Sequence, residues 1–234
     1  MELAKLESKY KYKYSKFFKK LWDDGMLDWM DGRKAEFGST ETWENTIYPK
    51  IKENPKVLLH TGGMDFEMLT YNDMLNFKFD EFWDMDKHTF IPFAKTDEGI
   101  IYAFYSNIKT DGESAVVCIW DDMNETEVLA KNFEDFIFRK MIEAVYDVDN
   151  DELSGDYKKT GFDGYREDIL NDLKTIAPYL KEEYVEILND IYNREEVIKG
   201  MISYSLLSRD EFSSLIQKEL EFEELNVVFE HECD

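Results

Sequence analysis

The stretch IPFAKTDEGIIYAF, residues 91–104, contains two short apolar runs separated by the charged turn sequence DEG. Runs rich in Ile, Phe and Tyr that are bounded by turn residues predict β-strands. A third run, SAVVCIW at 114–120, follows KTDGES, in which Asp111-Gly112 is a strong hairpin signal. Because consecutive strands joined by short turns pair antiparallel, the centre of the chain predicts an antiparallel sheet. VLLH at 57–60 predicts one further strand.

Helical patterns flank these strands. The segment YSKFFKKLW predicts an amphipathic helix, which Gly25 is expected to cap at its C-terminus. Its apolar residues recur with the spacing i, i+3, i+4, i+7 and i+8: Tyr14, Phe17, Phe18, Leu21 and Trp22. The segment NFEDFIFRKMIEAVY predicts a second helix with Asn132 as its N-cap. The predicted fold class is therefore α+β, with a central, mostly antiparallel sheet packed by helices.

The composition changes near residue 147, where DVDNDELSGDYKKTGFDG predicts a linker or a long surface loop. Two amphipathic helices follow, YREDILNDLKTIA and EEYVEILNDIYN, with a break at Pro178. SRDE at 208–211 fits a capping box that begins a last helix, and LNVVFEHE alternates as a final strand. We therefore predict an α+β domain over residues 1–146 and a helical C-terminal extension over 147–234, packed on the same domain.

The chain is strongly acidic, with 28 Lys and Arg, 52 Asp and Glu and a net charge of -24. Residues 1–60 hold 12 basic and 10 acidic residues, a net of +2, whereas the remainder holds 16 and 42, a net of -26. An acidic surface repels nucleic acid and anionic membranes and attracts basic proteins. The alternative interpretation is a surface that only keeps the chain in solution.

Cellular location is inferred from cysteine usage and hydropathy. The two cysteines, Cys118 in an apolar run and Cys233 near the end, form no disulfide framework and favour a reducing compartment. The first residues, MELAKLESKYKYKY, carry charge where a signal peptide has an apolar core. No apolar run approaches the roughly 18 residues that a membrane span requires. We expect a cytoplasmic protein with no membrane partner.

Three short motifs fall short of a binding site. KYKYKYSK at 9–16 alternates lysine and tyrosine as nucleic-acid-binding segments do, but in so acidic a chain a lead-in to the first helix is favoured. DVDND opens like a calcium loop, yet Glu152 and Lys158 stand where glycine and glutamate are required. TGG at 61–63 lacks the residues of a phosphate-binding loop.

No catalytic set is visible either. The histidines, His60, His88 and His231, lack the spacing of zinc ligands, and His88 among carboxylates predicts a solvated or salt-bridged ring. Cys118 lies in an apolar run that would raise a thiol pKa, and no Gly-x-Ser-x-Gly elbow is present. The many carboxylates leave open a pair for acid–base catalysis. The sequence predicts a protein that is not an enzyme and has no metal or cofactor.

Three segments, in this order, resemble the SUKH superfamily over about residues 10–145. YSKFFKKLW with DDGMLDW resembles its opening helix and glycine-containing turn. IPFAKTDEGIIYAF resembles its central hairpin, although Ile100 follows Gly99 where Asp is common. EVLAKNFEDFIFRKM resembles its closing strand and helix, and SLLSRDEFSSLIQKELEFEEL resembles a helical extension of some members.

The resemblance implies a non-catalytic protein that binds another protein. Bacterial members are immunity proteins that neutralise a cognate toxin, often a nuclease, and a fungal relative regulates cell-wall synthesis. We therefore expect an immunity-type protein that occludes the active site of a basic toxin. The alternatives are a regulatory scaffold that binds a cellular protein and an enzyme with a carboxylate pair.

The candidate partner-binding residues are acidic positions on the loops of the β-rich centre. Charge complementarity at such positions steers a fast encounter with a basic partner. Charge density alone selects them, and a solvated rim is the alternative for each. They are Asp84, Asp86, Asp121, Asp122, Glu125 and Glu127.

Overall fold

The computed structural model describes residues 2–30, 46–61, 66–96, 98–120, 122–146, 148–149, 153, 157–198 and 203–233. The chain forms two compact units. The first unit comprises Met1–Lys20, Asp65–Phe136 and Glu219–Asp234, and the second unit comprises Leu21–Met64 and Ile137–Lys218. The predicted division into residues 1–146 and 147–234 follows the sequence patterns rather than these units and stays a prediction.

Eight helices and nine strands lie in the described part of the chain. The helices are α1 (Glu2–Tyr10), α2 (Lys16–Asp23), α3 (Tyr48–Glu53), α4 (Tyr71–Asn76), α5 (Phe133–Glu143), α6 (Gly161–Ile176), α7 (Glu182–Tyr192) and α8 (Arg209–Leu220). The strands are β1 (Phe66–Met68), β2 (Phe90–Thr96), β3 (Ile101–Thr110), β4 (Glu113–Trp120), β5 (Glu125–Ala130), β6 (Val148–Asp149), β7 (Val197–Ile198), β8 (Ser203–Ser205) and β9 (Val228–Phe229).

The first unit is built on a six-stranded sheet of order β1-β2-β3-β4-β5-β9, with every neighbouring pair antiparallel. The turn between β3 and β4 is the predicted Asp111-Gly112 hairpin. Asp111 has a φ of 53° and Gly112 a φ of 84°, the left-handed geometry that a two-residue turn between twisted strands requires. The predicted α+β class, with helices in the C-terminal part, is confirmed.

Both faces of the sheet carry aromatic side chains. On one face, Phe18 of α2 packs against Phe104, and Phe133 of α5 packs against Phe93 and Phe104, with ring centroids 5.1–5.4 Å apart. On the other face, a second cluster consists of Trp83, Phe90, Ala103, Tyr105, Ala115, Val117, Ile119 and Val128. Phe229 of β9 packs against this second cluster. The C-terminal strand therefore belongs to the core of the first unit.

The predicted helix caps are confirmed. The Asn132 side chain accepts from the Asp135 amide at 2.9 Å at the start of α5. Gly25 has a φ of +70° after α2, and the Met26 amide donates to the Leu21 carbonyl at 2.9 Å. The capping box before α8 forms as expected, with the Ser208 hydroxyl accepting from the Glu211 amide at 3.3 Å. No described helix combines the length and apolar content that crossing a bilayer requires.

The strand predicted at 57–60 is wrong. These residues form turns, because Leu58 takes a left-handed φ of 58° and the Leu59 amide donates back to the Lys56 carbonyl. Val57 and Leu58 are nevertheless buried, so the apolar pattern marks packing rather than strand pairing. Helix α1, with only Leu6 buried, carries too weak an apolar stripe to have been predicted.

Candidate partner-docking edge

Three segments of the first unit meet beside β9, at one edge of the sheet. The Asp84 amide donates to the His231 carbonyl at 2.8 Å, and the Cys233 amide donates to the Phe82 carbonyl at 2.8 Å. The Asn124 side-chain oxygen accepts from the amides of His231 at 2.9 Å and Glu232 at 2.8 Å. We call the described residues 80–88, 122–127 and 227–233 the tail edge.

Local hydrogen bonds shape the two turns of the tail edge. The Asp80 carboxylate accepts from the Phe82 amide at 3.0 Å, and the Asp84 carboxylate accepts from the Lys87 amide at 3.0 Å. Side chains of Asp and Asn stabilise turns in this way by accepting from nearby amides. Asn124 also has a left-handed φ of 47°, which Asn tolerates better than most residues. The acidic residues of these turns therefore stabilise the turn conformation in addition to supplying negative charge.

Buried rings support the tail edge from beneath. His231 is 0 % exposed; its ring lies 4.5 Å from the Trp83 ring, and its Nδ1 lies 3.1 Å from the Thr126 hydroxyl. His88 is also buried, with its Nδ1 2.8 Å from the Tyr105 hydroxyl, so the expectation of a solvated or salt-bridged ring is wrong. Burial, with Lys87 nearby, lowers the pKa of His88 and favours its neutral form.

The candidate acidic residues fall in two groups that the C-terminal segment links. Asp84 and Asp86 lie on the turn before β2, and Asp122, Glu125 and Glu127 lie on the turn before β5 and on β5 itself. Asp86, Asp122 and Glu125 are exposed, whereas Asp84 and Glu127 are half-buried. Glu125 and Glu127 alternate along β5 with the buried Thr126 and Val128, so they face the opposite side of the sheet.

One candidate, Asp121, lies outside the described residues.

Glu230 is exposed and Glu232 is half-buried, and these two carboxylates also belong to the tail edge. They alternate with Phe229 and His231, which pack inward. The sequence pattern FEHE predicts this alternation but gives no sign that it lies beside the other two segments.

Exposed apolar side chains lie among these carboxylates, and sequence reasoning missed them. Six large apolar side chains of the described residues are exposed, and only Val197 lies outside the tail edge. The other five are Phe82 at 63 %, Met85 at 39 %, Met123 at 53 %, Val227 at 44 % and Val228 at 54 % exposure. One sequence feature could have predicted their exposure. Phe82, Met85 and Met123 lie in acidic turn sequences that lack the apolar periodicity of a buried helix or strand.

The second unit holds a separate polar network around His60. His60 Nδ1 lies 2.9 Å from an Asp172 carboxylate oxygen, and its Nε2 lies 3.1 Å from the Tyr48 hydroxyl. Lys52 pairs with Asp168 at 2.7 Å, and the Tyr157 hydroxyl donates to the same carboxylate at 2.6 Å. Burial raises the pKa of Asp172 against the lowering effect of His60. These polar groups form hydrogen bonds and ion pairs with one another, which favours a structural role.

A pocket in the second unit adjoins this network. His60 and Asp172 line this pocket and are hydrogen-bonded to each other. The remaining lining is mostly apolar: Lys56, Val57, Leu58, Met141, Ile169, Ile176 and Tyr192. In the part of the chain that the structure describes, no group of three or more His, Cys, Asp or Glu side chains could hold a metal ion.

The lysine–tyrosine segment 9–16 packs as the helix lead-in interpretation expects. Tyr12 and Tyr14 are buried, and the Tyr12 ring stacks on Phe104 with centroids 5.6 Å apart. The Tyr10 hydroxyl donates to the Met74 carbonyl at 2.6 Å, and Lys9 donates to the same carbonyl at 3.0 Å. Gly62 and Gly63 of the TGG motif, and most of DVDND, lie outside the described residues.

Comparison with known proteins gives one match. The sequence model of the SMI1 / KNR4 family (SUKH-1) matches residues 1–139. That range contains strands β1 to β5 and two of the three segments of the tail edge, whereas β9 and the rest of the C-terminal segment follow it. No curated protein and no solved structure matches the chain.

Proposed function

The chain belongs to the SMI1 / KNR4 family (SUKH-1), and on that premise we propose that it is a cytoplasmic immunity-type protein that binds a basic toxin and covers its active site. The family match confirms the resemblance to the SUKH superfamily. Membership supports an immunity-like or regulatory role, and proteins of this family are generally non-catalytic. The toxin, its basic charge and the occlusion mechanism belong to the proposal.

The tail edge is the observation that carries this proposal. It combines exposed carboxylates at Asp86, Asp122 and Glu125 with exposed apolar side chains on a hydrogen-bonded frame. Charged groups that complement a partner raise the association rate, and apolar groups within the same patch supply affinity. A surface that only maintains solubility needs the charges but not the apolar side chains.

Occlusion is the mechanism that fits such a surface. A basic nuclease attracts the phosphates of its substrate through the same positive field that would attract the tail edge. A protein bound there excludes the substrate and neutralises the field, and no chemistry is required of the bound protein. Asp84 and Glu127, which are half-buried, take part in the proposal as flanking carboxylates, and Asp121 is included for its charge alone.

Nuclease inhibition tests the proposal, and the target is a basic nuclease toxin domain sought among the genes next to this one. The full chain should form a complex with that domain and block cleavage of DNA or RNA. The double variant Asp86→Lys/Asp122→Lys should lower the association rate on the order of tenfold or more at low salt. This difference should shrink as added salt screens the charges.

Glu186→Lys is the matched control, because Glu186 is exposed on α7 of the second unit. It makes one acid-to-lysine change away from the tail edge, half the change in net charge of the double variant, and should leave the association rate within about twofold, the residual being a net-charge effect. Binding that ignores salt and survives the double charge reversal would contradict docking at this edge. A toxin domain that stays fully active in the presence of the chain would contradict the immunity role.

A regulatory scaffold is the second candidate, because the family match supports an immunity-like or a regulatory role. Such a scaffold would use the same edge to bind a cellular protein. Affinity capture from cells that carry no neighbouring toxin gene separates the two candidates. Recovery of one stoichiometric cellular partner that is lost in Asp86→Lys/Asp122→Lys favours the scaffold.

A further inference from the structure

Hydrogen bonds and buried neighbours hold the backbone that carries the apolar side chains of the tail edge. Phe82 precedes Trp83, which is buried, and its own carbonyl accepts from the Cys233 amide. Met123 precedes Asn124, whose side chain holds two amides of the C-terminal segment. Exposed side chains on a fixed backbone lose less conformational freedom on binding than those on a mobile loop.

The exposed apolar side chains of the described residues are concentrated at the tail edge, which holds five of the six. Single exposed apolar residues are ordinary, but a group of them rimmed by polar residues marks a protein-interaction site. Phe82, Met123 and Val228 lie on three different segments that hydrogen bonds join. Methionine adds an adaptable surface that repacks around a partner's side chain.

Charge and apolar groups contribute differently to such an interface. Exposed charges act over about 8–10 Å in ordinary salt and mainly change how fast partners meet. Apolar and aromatic groups that become desolvated at the centre of an interface mainly change how slowly the partners separate. The tail edge carries both kinds of group on the same hydrogen-bonded segments.

We propose that Phe82, Met85 and Met123 are the apolar anchors of the tail edge, and that its partner presents an aliphatic or aromatic side chain surrounded by Lys and Arg. The inference rests on the proposed function, since it concerns the same edge, and it narrows the partner. Basic charge alone is not sufficient for tight binding. The anchors set the lifetime of the complex, and the carboxylates set its rate of formation.

Two synthetic peptides with identical lysine positions test this inference on the full chain. One carries leucine between the lysines and the other carries serine, so only the apolar groups differ. The chain is labelled with carbon-13 at the methionine methyl groups and observed by NMR, with Met85→Leu and Met123→Leu assigning the two signals. The leucine peptide should shift both signals and bind at least about tenfold more tightly than the serine peptide.

Phe82→Ser should remove that preference for leucine. Val197→Ser is the matched control, because Val197 is exposed to 46 % in the second unit and should leave the preference unchanged. Thermal unfolding checks that Phe82→Ser remains folded, and Met123→Ser provides a second variant with the same expected loss. Against the toxin domain, both variants should raise the dissociation rate and leave the association rate within about twofold.

Equal binding of the two peptides at the tail edge would overturn the inference, whereas the proposed function would then be decided separately by the nuclease inhibition experiment. Leucine-dependent binding without shifts at Met85 and Met123 would also overturn it, because the apolar contact would then lie elsewhere. If neither peptide binds, the anchor model is wrong for these side chains, and nuclease inhibition separately decides the proposed function. The inference is supported if the leucine peptide shifts the methionine signals and Phe82→Ser abolishes those shifts.

Discussion

Asn124 joins the C-terminal segment to the turn before β5 through a single side-chain oxygen. That oxygen accepts from the amides of His231 and Glu232, and no apolar packing pattern in the sequence points to this role. The residue follows the acidic pair Asp121-Asp122, which charge density selects readily. Residue-scale reasoning therefore identifies the carboxylates around the site more easily than the polar group that positions them.

Asn124→Ala should destabilise the chain by about 1–3 kcal/mol, because two amides lose their acceptor and alanine is strained at a φ of 47°. Asn124→Gly relieves the strain but not the loss of the acceptor, so its cost should be smaller. Denaturant unfolding of both variants measures these differences. Asn193→Ala, at an exposed residue after α7, is the control and should change stability by no more than about 0.5 kcal/mol. Equal stability of Asn124→Ala and the parent chain would contradict the assignment.

The exposed Phe82 and Met123 show where residue-level prediction fails. Both are large apolar residues, and an apolar residue is expected to be buried unless its surroundings say otherwise. Their acidic neighbours in DEFWDMD and DDMN make the turns polar, but the same segment buries Trp83 only one residue from Phe82. Packing against the cluster that contains Phe90 and Tyr105 decides which ring is covered.

Strand β9 is the element that completes the candidate site. Its two residues face opposite sides of the sheet, since Phe229 packs against Tyr105 and His88 whereas Val228 is exposed. The alternation in LNVVFEHE predicts this strand. Strand β9 pairs with β5, although it lies about a hundred residues later in the chain. This pairing depends on long-range contacts that no local sequence pattern encodes.

Phe229→Ala should reduce the free energy of unfolding by about 2 kcal/mol, because the ring loses stacking partners at 5.0 and 5.3 Å. Val228→Ala on the same strand is the matched control and should cost about 0.5 kcal/mol or less, since its side chain is 54 % exposed. Thermal and denaturant unfolding compare the two variants. The idea that β9 anchors the first unit fails if both substitutions cost the same.

Elements with strong local signals formed as predicted. Asn132 and Asp135 fix the start of α5, Gly25 ends α2, and Asp111-Gly112 sets the β3–β4 turn. The segment at 57–60 did not form a strand, because burial of an apolar run can be satisfied by turns as well as by pairing. Strands β6, β7 and β8 have two or three residues each, too few for any periodic pattern.

At the scale of the whole molecule, the net charge of -24 has two opposite consequences. Repulsion among like charges opposes the compact state, whereas attraction of the proposed basic partner would favour the complex. Both effects weaken as salt shortens the range of electrostatic forces. The isolated chain and its complex should therefore respond to salt in opposite directions.

The unfolding temperature of the isolated chain should rise between about 0.01 M and about 0.15 M NaCl, as the Debye length falls from about 30 to about 8 Å. Each of the substitutions in Asp86→Lys/Asp122→Lys replaces a negative with a positive charge, so the net charge rises from -24 to -20. This variant should show a smaller rise in the unfolding temperature. Differential scanning calorimetry measures both. A fall in the unfolding temperature with salt would show that favourable ion pairs outweigh the repulsion.

The sequence by itself determined the α+β class, the strands of the central hairpins, the helix caps and the family, because turn residues, caps and periodicity act over a few neighbouring residues. It also determined that the chain is strongly acidic, with a net charge of -24. Only the tertiary structure decided that residues 219–234 belong to the unit of β1 to β5, and that the segments of Phe82, Met123 and Val228 are hydrogen-bonded together at one edge. That arrangement depends on packing between residues far apart in the chain, where shape and burial decide the outcome.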